Sequence, residues 1–223
     1  MSTFCLIHGA WHEPSCWDEL TPLLMERGHR VVIPDLPLQD PDAGYEERIR
    51  PAADAIEGVE GSLMIVGHSQ GTTYSALLAA SNPGATLVHL CPRLGGFEPP
   101  PGAPDPFQEG ISWPETRDGV SIWKEDVAMS SMYSRVPEPR ASMLAGRLRP
   151  MAMPRGDYPL AGPPENDTVL IYAAEDEFFR PDFERFMARE LFGIEPIELP
   201  GGHFPMAEDP GALAGVLDRV ASA

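Results

Sequence analysis

Short apolar runs alternate with segments of helical periodicity over most of the chain. The apolar runs predict six strands, at residues 3–8, 30–33, 63–66, 85–90, 168–173 and 194–199. Apolar positions at helical spacing predict helices at residues 17–27, 45–57, 69–80, 181–191 and 207–220. Pro51 lies inside the second of these helices and is expected to kink it or to mark its true start. Strands separated by helices of this size predict an α/β fold with a doubly wound, mostly parallel six-stranded sheet.

The alternation stops between residues 92 and 164, which contain more than half of the 26 prolines. Two short helices are predicted there, at residues 122–135 and 139–148, and the density of proline argues against strands. We therefore expect a short helical, proline-rich cap at 92–164, inserted into a core formed by residues 1–91 and 165–223.

Composition limits the classes of partner. Lys and Arg total 16 and Asp and Glu total 34, so the 223 residues carry a formal net charge of −18. Such a surface repels phosphate backbones and anionic lipids, so nucleic acid, membrane surfaces and polyanionic substrates are not expected.

Cys5, Cys16 and Cys91 form no C-x-x-C pair, which indicates neither a disulfide framework nor a zinc site. A cytoplasmic protein is expected, because neither a secretory signal nor an apolar run of membrane-spanning length is visible.

The segment Gly67-His68-Ser69-Gln70-Gly71 is the strongest candidate for chemistry. It joins a predicted strand directly to a predicted helix, and a serine in such a sharp turn is lifted above the edge of the sheet. The next backbone N–H, from Gln70, would then point at an oxyanion formed beside the hydroxyl. A glycine-bounded turn with an idle serine is the alternative, and the flanking strand and helix make it the less favoured one.

A serine nucleophile needs a base and the base needs an orienting acid. Of the six histidines, His203 stands in a glycine-flanked loop after the sixth predicted strand, where parallel sheets place their sites. Glu175, Asp176 and Glu177 follow the fifth predicted strand and are the candidate acids. An exposed loop histidine and a solvated acidic turn are the plainer alternatives, but the chain order of serine, acid and histidine is that of one catalytic triad fold.

A second oxyanion donor is expected from the loop after the first strand. Gly9 allows the backbone to approach the serine turn closely, and the N–H of Ala10 is the candidate donor. An ordinary glycine that ends a strand would look the same.

Together, the segments HGAWHEPSCW, PDLP, GHSQG, EDEFF and GGHFPMAEDP resemble the α/β-hydrolase superfamily. The chain is most similar to the small branch of plant methyl-ester esterases, hydroxynitrile lyases and bacterial esterases that include pyrethroid hydrolases. The resemblance covers residues 3–90 and 168–220 and lacks the two leading strands common in the superfamily. It implies Ser69 as nucleophile, Asp176 rather than Glu175 as acid, His203 as base, and the backbones of Ala10 and Gln70 as oxyanion donors.

We therefore predict a serine esterase that cleaves a carboxylic ester of a small, largely apolar substrate, with no metal or organic cofactor. Trp11, Trp123 and Phe204 are the predicted substrate-binding residues, although the aromatic side chains of the cap could equally form its own small core. A hydroxynitrile lyase and a ligand-binding protein with an inert triad are the alternatives. The lyase members place a lysine after the catalytic histidine, where this chain has Phe204. The expected partner is a small-molecule ester, and the sequence leaves a homodimer open.

Overall fold

The computed structural model describes all 223 residues. Six parallel strands form the main sheet: β1 Ser2–Ile7, β2 Arg30–Val32, β3 Ser62–His68, β4 Thr86–Leu90, β8 Thr168–Ala173 and β9 Ile197–Leu199. Their order across the sheet is β2-β1-β3-β4-β8-β9. The predicted fold class, an α/β fold with a mostly parallel six-stranded sheet, is confirmed.

Helices cover both faces of this sheet. They are α1 Leu20–Glu26, α2 Tyr45–Ile56, α3 Gly71–Ala80, α6 Pro181–Glu190, α7 Pro205–Glu208 and α8 Pro210–Ala221. Successive residues of β1 point to opposite faces, as the pleat of a strand requires. Phe4 and Leu6 pack in the core with α1 and α8, whereas Cys5 and Ile7 pack in the core with α2, α3 and α6.

Two predicted helices are divided in the structure. Of the segment 17–27, Trp17 ends a 3₁₀ turn, Pro14–Trp17, and the helix itself is the shorter α1. The segment 207–220 divides into the end of α7 and the helix α8. Helix α2 runs through Pro51 from Tyr45 to Ile56, so the proline neither starts nor ends it. Pro51 stands in the second turn, so the helix loses one internal hydrogen bond there and continues beyond it.

The segment between β4 and β8 contains the predicted helices, as α4 Glu125–Met132 and α5 Glu138–Ala145. It also contains an antiparallel sheet of β5 Glu115–Arg117, β6 Val120–Ile122 and β7 Met151–Ala152. The expectation that proline excludes strands here is therefore wrong. The prolines stand outside the strands, with Pro114 directly before β5 and Pro150 directly before β7, where the missing N–H costs no ladder hydrogen bond.

This inserted segment is tied to the core near the carboxyl ends of the parallel strands. The N–H of Ala152 donates to the carbonyl of Leu38 at 2.9 Å, and the N–H of Arg149 donates to the carbonyl of Trp11 at 2.8 Å. None of the helices is both long and apolar enough to cross a membrane.

Candidate active site

Ser69 occupies the turn between β3, which ends at His68, and α3, which begins at Gly71. Its φ of 53° lies in the left-handed region, which is strained for a residue with a side chain. The glycines on either side have a steric reason. A Cβ on Gly67 would lie 2.7 Å from the carbonyl oxygen of Gly71, and a Cβ on Gly71 would lie 2.6 Å from that of His8. The turn can therefore form only with glycine at both positions.

The backbone N–H groups of Ala10 and Gln70 lie beside this turn and have no acceptor within the protein. Ala10 lies in the loop that follows β1. This loop is close to the serine, because a Cβ added to Gly9 would lie 3.1 Å from the Cβ of Ser69. Ala10 and Gln70 are both buried, at 5% and 4% exposure. Buried backbone donors are normally paired, so two unpaired donors flanking one serine form a site suited to a developing negative charge.

Asp176 and His203 are brought together by the loops that follow β8 and β9. Nδ1 of His203 lies 2.7 Å from Oδ2 of Asp176, and both side chains are buried. Oδ1 of Asp176 accepts from the N–H groups of Phe178, at 2.7 Å, and Phe179, at 2.8 Å. His203 donates through Nδ1 to the Oδ2 of Asp176, and this hydrogen bond leaves the lone pair of the neutral ring on Nε2.

The ring of His203 makes this one hydrogen bond and none to the hydroxyl of Ser69. The two residues are nevertheless connected through His68, whose Nε2 donates to the carbonyl of His203 at 2.8 Å and whose ring lies 4.8 Å from that of His203. Burial lowers the pKa of His68 well below its ordinary value, so this support remains neutral. A bond between a catalytic hydroxyl and its base often tightens only when substrate binds.

Two glutamates hold the backbone of the His203 loop. The N–H of His203 donates to Glu177 at 3.1 Å, and the N–H of Gly202 donates to Glu208 at 2.6 Å. Burial raises the pKa of Glu177. Glu175, the other acid considered from the sequence, is exposed and pairs with Arg135 at 2.8 Å. Of the three candidate acids, Asp176 alone contacts the imidazole.

One cluster could in principle ligate a metal ion. Cys91, Asp176 and His203 each place a ligand atom within 4.8 Å of the other two. Burial raises the pKa of Cys91 well above its ordinary value, which keeps the thiol protonated, and Nδ1 of His203 is already bonded to Asp176. These features favour the Asp–His hydrogen bond over metal ligation.

A cavity of about 310 Å³ opens beside the serine turn and is lined by Ser69, Gln70 and Ala10. This volume suits a small molecule. Most of the remaining wall is apolar or aromatic, formed by Trp11, Phe107, Trp113, Met151, Phe178 and Phe179.

Of the three residues predicted to bind substrate, only Trp11 lines this cavity. Trp123 is buried behind it, edge-on to the Trp11 ring at 5.6 Å. Phe204 is 2% exposed and packs against His12 and Tyr133, at ring distances of 4.7 and 4.9 Å. Both are therefore corrected to packing positions.

Several residues of the wall were not predicted from the sequence. Phe178 and Phe179 serve twice, because their N–H groups hold Asp176 while their rings line the cavity. Their position directly after the acid could have indicated this. Arg93 also lines the cavity, and its place just beyond the carboxyl end of β4 was the available signal.

A six-stranded parallel sheet with a serine on a strand-to-helix turn, and an Asp–His pair on later loops, define an α/β-hydrolase architecture. The chain belongs to the alpha/beta hydrolase family, whose model matches residues 6–216. Among its relatives, the pyrethroid hydrolase of Sphingobium wenxiniae is 29% identical over 98% of this chain and 87% of its own. Methylesterase 9 of Arabidopsis thaliana is 25% identical over 99% of this chain and 98% of its own. The crystal structure of a pyrethroid hydrolase from Sphingobium faniae matches with a TM-score of 0.77 and 25% sequence identity, and the match covers 100% of this chain and 98% of that one.

Proposed function

We propose that this protein is a serine esterase that hydrolyses carboxylic esters with Ser69, His203 and Asp176 as its triad. The observation that carries the proposal is the pair of unpaired backbone donors, Ala10 and Gln70, flanking a strained serine at the mouth of an apolar cavity. The ester-hydrolase names of the pyrethroid hydrolase and the methylesterase support the same general class.

In the proposed mechanism, Nε2 of His203 takes the proton of the Ser69 hydroxyl as the oxygen attacks the ester carbonyl. The N–H groups of Ala10 and Gln70 stabilise the tetrahedral oxyanion. His203 then returns the proton to the leaving alcohol, which leaves an acyl group on Ser69. Water, deprotonated by the same imidazole, releases the carboxylic acid and restores the hydroxyl. Asp176 keeps the imidazole in the required tautomer throughout.

The first test is hydrolysis of 4-nitrophenyl butyrate by the intact protein and by Ser69→Ala. We expect Ser69→Ala to lose at least about a thousandfold in kcat, because the nucleophile is removed. Ser81→Ala, which removes a hydroxyl at the far end of α3, is the matched control and should keep full activity. Unchanged turnover in Ser69→Ala would refute the proposal, and an inert protein that binds esters without turnover would indicate the ligand-binding alternative.

A hydroxynitrile lyase remains the second candidate, because the cavity contains one cation, Arg93. The position after His203 gives it no support, since Phe204 is buried among aromatic rings. Release of cyanide from mandelonitrile, with loss in Ser69→Ala, would favour this reaction over ester hydrolysis.

A further inference from the structure

Arg93 lies on the wall of the cavity, beside the serine turn. Its backbone N–H donates to the carbonyl of Ser69 at 3.3 Å, which fixes the position of the residue relative to the nucleophile. Its guanidinium donates to the side-chain carbonyl of Gln70, whose amide in turn donates to Thr73 at 3.2 Å. The side chain of Arg93 is therefore held in place along the cavity.

Arg93 has no carboxylate partner, although acidic residues outnumber basic ones by 34 to 16. Two other partly buried arginines are paired: Arg149 contacts Glu13 and Asp35, and Arg140 contacts Glu19. The fully buried Arg48 has no carboxylate either, but its guanidinium donates to three carbonyls and to the Tyr74 hydroxyl. The guanidinium of Arg93 has five N–H donors, and Gln70 accepts from one of them, which leaves the others free.

Partial burial makes this cation receptive to an anion. Desolvation lowers the pKa of Arg93, which means that its charged form is poorly solvated where it stands. An arginine stays protonated at neutral pH regardless, so the charge is present and uncompensated. A carboxylate in the cavity would accept two parallel N–H bonds from the free side of the guanidinium.

The rest of the cavity restricts what else the ligand contains. Phe107, Trp113, Phe178 and Phe179 provide aromatic surface, and Met151 and Met153 provide flexible apolar surface. A ligand complementary to both the apolar wall and Arg93 is apolar over most of its length and carries one negative group. With a volume of about 310 Å³, the cavity accepts a small molecule of this kind.

We propose that Arg93 binds a free carboxylate on the substrate, so that the enzyme acts on monoesters that also carry a carboxylate, with the apolar part against the aromatic wall. This inference rests on the proposed esterase function. Hydrolysis of such a monoester by water gives one alcohol and one dicarboxylic acid, or one acid and one hydroxy acid. A single carboxylate is compatible with the acidic surface, because the local guanidinium contact outweighs screened, distant charges.

The test uses two pairs of substrates that differ only in the carboxylate. Mono-4-nitrophenyl adipate is compared with 4-nitrophenyl hexanoate, which places the charge on the acyl half. 4-Carboxyphenyl acetate is compared with phenyl acetate, which places it on the alcohol half. We expect the intact enzyme to prefer the anionic member of one pair by at least about tenfold in kcat/KM.

Arg93→Met should lower kcat/KM for that preferred anionic ester by about 10- to 100-fold, mainly through KM. The neutral ester should fall by much less, and Arg93→Lys should restore part of the preference. Arg30→Met is the matched control, because it removes the same charge from an exposed position at the amino end of β2. Its preference should equal that of the intact enzyme. The inference is overturned if neither pair shows a preference, or if Arg93→Met lowers both members equally.

A separate binding measurement distinguishes this inference from the proposed function. Monomethyl adipate is titrated into Ser69→Ala and into Ser69→Ala/Arg93→Met by calorimetry. Tighter binding to the protein that keeps Arg93, by about tenfold or more, is expected even if no ester is turned over. Equal affinities would reject the carboxylate contact while leaving a Ser69-dependent esterase intact.

Discussion

The carboxylate of Asp176 has one oxygen for the backbone and one for the imidazole. Oδ1 is already saturated by the N–H groups of Phe178 and Phe179, so an asparagine would keep its carbonyl oxygen there and turn its NH₂ toward His203. Nδ1 of His203 would then have to accept, which moves the ring proton to Nε2, the atom proposed to act as base. We expect Asp176→Asn to lower kcat about 10³- to 10⁴-fold with the fold intact.

The measurement is kcat for 4-nitrophenyl butyrate, with circular dichroism to confirm folding. Glu175→Gln is the matched control, since Glu175 is exposed and contacts Arg135 instead of the imidazole. Full activity in Asp176→Asn together with a loss in Glu175→Gln would reverse the assignment of the acid.

Glu184 is a second buried carboxyl group on the same side of the molecule. It lies on α6, fully buried, and neither carboxyl oxygen has a hydrogen-bond partner. Burial raises its pKa well above the ordinary value, and the negative charge of Asp176 raises it further. The unfolded chain releases this proton near pH 4.3, before the folded protein does, so Glu184 lowers stability as the pH rises above that value.

Glu184→Gln cannot ionise and should remove this pH dependence. The quantity compared is the gain in free energy of unfolding of Glu184→Gln over the intact protein. We expect this gain to be larger at pH 8 than at pH 5 by at least about 1 kcal/mol, because one pKa unit corresponds to about 1.4 kcal/mol. Urea denaturation at both pH values measures the difference. Glu190→Gln, an exposed change on the same helix, serves as the control. Parallel stabilities for Glu184→Gln and the intact protein at the two pH values would show that Glu184 is not protonated in the fold.

At the scale of elements, the loop after β1 is joined to the inserted segment at several points. His12 donates through Nδ1 to the carbonyl of Ala10 at 2.6 Å and accepts at Nε2 from the hydroxyl of Tyr133, at the end of α4. The indole N–H of Trp11 donates to Ser121 on β6 at 2.9 Å. Burial lowers the pKa of His12 to about 3, so the ring stays neutral and these bonds persist across the working pH range.

These contacts predict that the inserted segment stabilises the proposed oxyanion donor. Tyr133→Phe removes the hydroxyl and leaves Nε2 of His12 buried without a donor, which should loosen the Ala10 backbone. We expect kcat for 4-nitrophenyl butyrate to fall about 3- to 30-fold with little change in KM, because the donor acts mainly in the transition state. Tyr172→Phe, which removes a hydroxyl bonded to Glu198 on the outer strand, is the control. A change in KM alone would place Tyr133 in substrate binding instead.

The elements predicted well are those whose pattern repeats within one segment. Strand β8 and helix α2 follow from local periodicity and keep nearly their predicted bounds. Strands β5, β6 and β7 have only two or three residues each, which is too short to show a period. β5 and β6 form a local hairpin, and β7 joins it across about thirty residues, a pairing that no local pattern records. Proline content was misleading there because its position relative to a strand matters more than its frequency.

At the scale of the whole molecule, the sheet brings distant residues together. Ser69, Asp176 and His203 could be singled out because each follows the carboxyl end of a strand and stands in a recognisable segment. Arg93 follows a strand too, but nothing in its sequence shows that its charge is unpaired. The misplacement of Trp123 and Phe204 has the same origin, since whether an aromatic ring lines a cavity or backs it depends on packing across the molecule.

The rates at which the three cysteines are labelled measure local and global unfolding. Cys5 on β1 and Cys91 after β4 are fully buried in the interior, and Cys16 lies in the short 3₁₀ turn at 3% exposure. Burial raises the pKa of Cys5 to about 12 and that of the other two well above the ordinary value, so none is a reactive thiolate. Labelling of Cys5 and Cys91 requires that the central sheet unfold, whereas Cys16 needs only a local opening.

We therefore expect slow reaction of the native protein with a chromogenic disulfide reagent at pH 8, with Cys16 labelled first and Cys5 and Cys91 only at the rate of global unfolding. In 6 M guanidinium chloride all three should react at once. Esterase activity should survive an incubation with iodoacetamide that leaves the fold intact, because the proposed nucleophile is a hydroxyl. Cys16→Ala identifies the first thiol by removing the early phase. Rapid labelling of Cys5 without denaturant would contradict the arrangement, since β1 is paired on both sides in the interior of the sheet.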